Sequence, residues 1–187
     1  CQEIAIGGLM GGHSGVDIHL QRANANVLLA RVLRAVLPDK ATLARFRGGN
    51  AHNAIPRDAS ALIGVRAEHE SEVQAAVTDW TRVFRDEFGE GEPHLSIELR
   101  PAAAPAWVIA AESADTLVDL LLCIPHGVTR MSSDVEGLVE TSTNLATVRV
   151  TEHEARITTS QRSSFDSRLR ELGGAIEAVA RLAGARS

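Results

Sequence analysis

Seven histidines and twenty-four acidic residues are enough material for a metal centre, so ligand spacing is the first question. A co-catalytic zinc site needs several imidazoles and carboxylates converging at about 2 Å from the ion. The chain has no His-x-x-x-His, His-x-His, Cys-x-x-Cys or His-x-Asp spacing. Glu68-His69-Glu70 and Glu152-His153-Glu154 set carboxylates beside an imidazole, but each falls where a strand ends or turns, and polar turn residues account for them. Nucleophilic catalysis has no better footing. His13 and Ser14 are chain neighbours, which rarely face each other for proton transfer, and no Gly-x-Ser-x-Gly elbow is present. Cys123 falls on an apolar helix face, where a buried, inert thiol is expected.

Three segments hold the remaining candidates. Gly11-Gly12-His13-Ser14-Gly15 lacks the Gly-Lys-Ser/Thr ending of a phosphate loop and the spacing of a dinucleotide fingerprint. It reads either as a tight turn with a surface histidine or as a flexible backbone that presents His13 to a ligand. Gly48 to Arg57 combines glycines, Asn50, Asn53 and Pro56, a composition that makes a good turn without any function. Gln161-Arg162-Ser163-Ser164 joins a strand to a helix. Its Arg162 is either a surface charge or a planar fork aimed at a carboxylate.

The elements that would position these segments follow from periodicity. Gln2 to Ile6, Ala41 to Arg47, Ala59 to Ala67 and the alternation Leu95, Ile97, Leu99 read as strands. A helix starting near Asn24 or Asn26 and ending at Pro38 follows the first strand. A second carries Val73, Val77, Trp80, Phe84 and Phe88 on one face and stops at Gly89. Pro101 to Pro105 is a connection. A third helix runs from about Ser113 to Ile124, and a loop leads to two strands, Ala146 to Val150 and Ala155 to Thr159, joined by a tight turn. A last helix after Ser164 carries the stripe Phe165, Leu169, Leu172, Ile176, Val179. The order predicts an α+β fold: a two-layer sandwich, mainly antiparallel, with helices on one face. It comprises a ferredoxin-like β-α-β-β-α-β core and an α-β-β-α extension.

Composition narrows the partners. A net charge of −5 and only 3% aromatics, with no Tyr, argue against nucleic acid, which wants a basic face or a stacking platform. No apolar run approaches the roughly 20 residues of a membrane span. Cys1 and Cys123 make no disulfide framework and suit a reducing cytosol. The chain begins with Cys1 and carries no leader-like segment, which reads either as a piece of a longer protein or as a numbering that omits an earlier part.

Taken together and in order, the segments resemble the aminoacyl-histidine dipeptidases, also called cytosolic non-specific dipeptidases and similar to carnosinases and carboxypeptidase G. The resemblance rests on Gly-Gly-His13-Ser14-Gly15-x-Asp17-Ile18-His19, Arg22-x-Asn24-x-Asn26-x-Leu28-Leu29 and Asn53-Ala54-Ile55-Pro56-Arg57. It continues through Pro125-His126-Gly127-Val128, the stretch Ser132 to Leu145, and Arg162-Ser163. It implies that residues 1–187 form a single lid and dimerisation domain, the domain that such enzymes insert into a catalytic domain holding two zinc ions. It implies a cytoplasmic homodimer acting on dipeptides, with neither zinc ligands nor catalysis in this segment alone. His13 matches the lid histidine that polarises the scissile carbonyl, typically in the partner subunit's active site. Asn53 matches a residue that holds the substrate's polar backbone, and Arg162 one that pairs with its terminal carboxylate. Gly12 and Gly49 would permit close backbone approach. Two other functions fit the same pattern: a stand-alone ferredoxin-like module that binds a small molecule, and a purely structural dimerisation module in which His13, Asn53 and Arg162 do not converge.

Overall fold

The computed structural model describes residues 1–37 and 39–186. The first half runs β1 (Gln2–Gly7), β2 (Gly12–His13), α1 (Ala25–Val36), β3 (Ala41–Gly48), β4 (Ala54–Ile55), β5 (Ala59–Val65), α2 (Glu70–Phe88) and β6 (Ser96–Pro101). The second runs α3 (Ala111–Cys123), β7 (Gly127–Met131), β8 (Val139–Val150), β9 (Ala155–Ser163) and α4 (Asp166–Leu182). The expected end of the first helix, Pro38, lies outside the described residues; the helix closes at Val36.

Seven strands form one sheet in the order β6-β1-β5-β3-β8-β7, with β9 also on β8, and every pairing is antiparallel. The first four strands in that order, with α1 and α2, are the ferredoxin-like unit. Its edge strand β3 is continued by β8 through Arg47↔Arg149 and Gly48↔Val148. β9 runs along the other edge of β8, so β3 and β7 share one edge of that strand, at its two ends.

Alternation builds the core. Ile4 and Ile6 in β1, Phe46 in β3 and Ile63 in β5 point to one face, where Leu28, Leu29, Val32, Leu33 and Val36 of α1 cover them. Val73, Val77 and Phe84 of α2 and Leu117, Val118 and Leu121 of α3 close the same layer. α4 lies beside α3 over β9, and the three line a groove of about 640 Å³. The opposite face is polar, with the ion pairs Arg45–Glu3 and Arg100–Glu98. No helix of the described residues is long and apolar enough to cross a membrane.

Three expectations change. The extension is α-β-β-β-α, because the stretch read as a loop before Ala146 contains β7 and the first half of β8. Thr141 to Ala146 are all buried, so β8 is enclosed on both faces there and the period-two signal vanishes. The stripe read on the last helix meets only the margin of the core, through the partly buried Val179. No residue of that helix is buried, and Phe165, just before it, is 52% exposed. Cys123 is exposed in the last turn of α3 rather than buried, and Cys1 and Cys123 are both free.

Candidate functional site

His13 sits on a two-stranded ribbon of its own. β2 and β4 pair antiparallel with Gly12↔Ile55 and His13↔Ala54, and Ser14 N–H extends the ladder to the Asn53 carbonyl at 2.8 Å. The chain then turns sharply. Asp17 N–H donates to the His13 carbonyl at 2.9 Å, and the Asp17 carboxylate accepts the His13 N–H at 2.8 Å. Inside this turn the N–H groups of Gly15 and Val16 both donate to His13 Nδ1, each at 3.1 Å. An imidazole nitrogen that accepts has no proton, so Nε2 carries it. The turn therefore fixes both the ring's orientation and its tautomer, leaving Nε2–H on the far side as a donor.

Arg162 reaches the same turn from β9, where it pairs with Ser142 of β8. A Cβ built on Gly15 would stand 2.9 Å from Arg162 Nε and 3.0 Å from Cζ, so the guanidinium lies directly against the backbone two residues beyond His13. Asn53 adjoins through its carbonyl on Ser14. The structure thus brings His13, the Asn53 backbone and the Arg162 side chain to one rim of the chain. Both His13 and Asn53 are partly exposed and Arg162 is exposed, so the rim is an open wall rather than an enclosed pocket.

The rim hangs from a gap in the sheet. On the β8 edge shared by β3 and β7, residues 144–147 face neither strand. Side-chain amides fill that gap. Asn144, fully buried, donates Nδ2–H to the Ala54 carbonyl at 2.8 Å and so holds β4. Asn24 donates Nδ2–H to the Leu145 carbonyl at 2.9 Å, and its Oδ1 caps α1 by accepting from Asn26 N–H and Val27 N–H. Asn26 adds donors to the carbonyls of Leu145 and Ala146. Gly49 (φ 65°) passes so close that a Cβ there would stand 1.9 Å from the Ala146 oxygen, which is the approach its type permits. A Cβ at Gly12 would meet Arg22 Nη1 and Asp17 Oδ2 at 2.7 Å.

A carboxylate that sequence reasoning did not single out clasps the other side of the glycine-rich segment. Glu92 is buried, and its Oε2 accepts Met10 N–H at 2.6 Å while Oε1 accepts Ala23 N–H at 2.9 Å. One side chain thereby ties both ends of residues 10–23. Charge-assisted bonds of this kind are the strong ones, and they compensate part of the cost of burying the charge. Within the loop, Arg22 donates to the Gly11 carbonyl at 2.6 Å, and Arg57 donates to the Leu9 carbonyl at 2.9 Å.

The electrostatics set a limit on what the rim can do. Among the described residues no group of three or more His, Cys, Asp or Glu side chains is placed to hold a metal ion. The residues present therefore do not fit a zinc centre of their own. What they offer on one rim is the imidazole Nε2–H of His13 and the guanidinium of Arg162, with the Asn53 backbone beside them. That set can polarise a carbonyl oxygen and hold a carboxylate. On the polar sheet face, burial followed by the charge of Arg47 pushes the Arg149 guanidinium below its usual range, while it holds the carbonyls of Gly48, Val148 and Gly49.

Comparison with known proteins follows the same lines. Residues 4–92 match the family described as the peptidase dimerisation domain. The chain is 35% identical over 186 residues to the cytosol non-specific dipeptidase of Escherichia coli strain K12, covering 99% of the chain and 38% of that relative. It superposes on the crystal structure of an aminoacylhistidine dipeptidase from Vibrio alginolyticus with a TM-score of 0.96 at 35% identity, again over 99% of the chain and 38% of the other. The chain thus spans well under half the length of the relatives it matches.

Proposed function

We propose that the chain, whose residues 4–92 match the peptidase dimerisation domain family, is the lid and dimerisation domain of a zinc-dependent dipeptidase that accepts Xaa-His substrates. In this reading residues 1–187 act as one unit. They complete an active site whose two zinc ions are held by another part of the protein, and they do not hydrolyse dipeptides alone. The parent protein is a cytoplasmic homodimer whose partners are its dipeptide substrate and its own catalytic domain, with no nucleic acid and no membrane among them.

His13 Nε2–H donates to the scissile carbonyl oxygen and strengthens that bond as negative charge develops there, which raises the rate more than the affinity. Asn53 holds the polar backbone of the dipeptide. Arg162 takes its terminal carboxylate with two parallel N–H groups, a geometry that a guanidinium matches and an ammonium does not. The observation that carries the reading is the double acceptance at His13 Nδ1, which leaves the imidazole poised as a donor beside a guanidinium.

Replacing His13 with Ala in the full-length protein tests it. The expected result is a fall in kcat of about 10² to 10³, the usual cost of one oxyanion donor, with KM little changed and the fold intact. A variant that turns over dipeptides at the parent rate would defeat the assignment.

A further inference from the structure

His126 belongs to none of the roles assigned above. It stands at the entry to β7, next to Gly127, which pairs with Thr143 of β8. Its Nδ1 lies 3.3 Å from Asn24 Nδ2. Its other hydrogen bonds tell the two ends of the Asn24 amide apart, since Oδ1 accepts from Asn26 N–H at 2.9 Å and Nδ2 donates to the Leu145 carbonyl at 2.9 Å. Its second Nδ2 proton is therefore directed at His126, whose Nδ1 must be the lone-pair nitrogen. Asn24 is itself buried, so without that acceptor the proton would have no partner in the protein. Burial holds the imidazole far below its ordinary range, at about 4, which keeps Nδ1 an acceptor at neutral pH.

The position of Asn24 gives this bond its reach. The residue before it, Ala23, is one of the two that Glu92 clasps, so Asn24 marks the point where the glycine-rich segment enters α1. Its anchor, Leu145, follows Asn144, which holds β4. β4 and the end of the glycine-rich segment that carries β2 are thus fastened to two consecutive residues of β8, the second through the amide whose remaining proton His126 accepts.

We propose that His126 is a positioning residue for the His13 rim: its Nδ1 lone pair locks the Asn24 amide, and the locked amide fastens the end of the glycine-rich segment to β8. For catalysis this rests on the reading of His13 as the working donor. For the lock itself it does not.

The test compares His126→Asn, His126→Gln and His126→Ala in the full-length protein. An Asn oxygen occupies the place of Nδ1, whereas a Gln oxygen reaches the place of Nε2. Hydrogen exchange at the amides of Ser14, Asn26 and Val27 reads the lock directly. The Ala and Gln variants should exchange about tenfold faster there, as expected when a cap is loosened, and the Asn variant should stay within about twofold of the parent. Dipeptide turnover should follow, with kcat about tenfold lower for Ala and Gln, KM within about twofold, and recovery in Asn. Equal exchange in the Asn and Ala variants, or parental exchange in all three, overturns the proposal. Failure of the His13 reading shows up separately, as parental kcat in His13→Ala, whatever the exchange data give.

Discussion

Arg162 occupies the space that a side chain on Gly15 would need: a Cβ there would stand 2.9 Å from the guanidinium Nε. The glycine's role is thus room for its neighbour. Gly15→Ala in the full-length protein should displace Arg162 and raise KM for dipeptides about tenfold, the scale of a weakened charged contact, while thermal stability stays within about 1 kcal/mol. Steady-state kinetics beside a melting curve check both halves. An unaltered KM would mean that the guanidinium works from elsewhere.

Arg162→Lys keeps the charge and removes the fork. Affinity for the free carboxylate should fall, so KM should rise for ordinary dipeptides and change little for substrates whose terminus is amidated. Measuring both substrate forms isolates the carboxylate contact. A parallel rise in KM for both would speak against it.

Glu92→Gln leaves one oxygen and adds an amide where two backbone N–H groups now converge. One of those donors loses its acceptor inside the protein. The cost should be about 1 to 3 kcal/mol, read from chemical denaturation, with faster proteolysis or hydrogen exchange across residues 10–23. Stability equal to the parent would show that the clasp contributes nothing net.

The half-buried imidazole of His126 makes stability depend on pH. Its folded value, about 4, lies below the ordinary 6.5, so between these limits the unfolded chain binds a proton that the native state refuses. Its contribution is full above about pH 6.5 and declines as pH falls towards 4, by about 3 kcal/mol in all. Denaturant titrations at pH 7.5 and 4.5 should show this loss in the parent and a smaller one in His126→Asn, which has nothing to titrate there. Identical losses in the two proteins would refute the coupling.

The residues 1–187 expressed by themselves should show no turnover of Xaa-His dipeptides, with or without added zinc. Sustained hydrolysis, inhibited by chelators, would assign the metal centre to this segment and end the proposed division of labour.

The sequence made α1 and α2 legible because a 3.6-residue stripe and good end signals agree in each. Asn24 does cap α1, and Gly89 does terminate α2. It concealed the first half of β8, because a strand enclosed on both faces and built from Thr141, Ser142, Thr143 and Asn144 has neither alternation nor an apolar run. Phe165 and Leu169 marked a helix correctly but not its surroundings, since periodicity reports a face and not what covers it. Glu92 was hidden for another reason. It lies in Gly89-Glu90-Gly91-Glu92-Pro93, a stretch that reads as a turn, and its two partners are 82 and 69 residues away. His13, Asn53 and Arg162 were ambiguous as isolated residues. Their convergence depends on the β2–β4 ribbon, two strands of two residues each, below the length at which any pattern can be seen.

Hanging β4 from Asn144 and the end of the glycine-rich segment from Leu145 has a mechanical result. The β2–β4 pairing ties the imidazole's strand to the Asn53 loop, so a displacement of β4 by the long strand is passed to both. If the proposed lid role holds, a lesion in the mount should detune donor and cradle together.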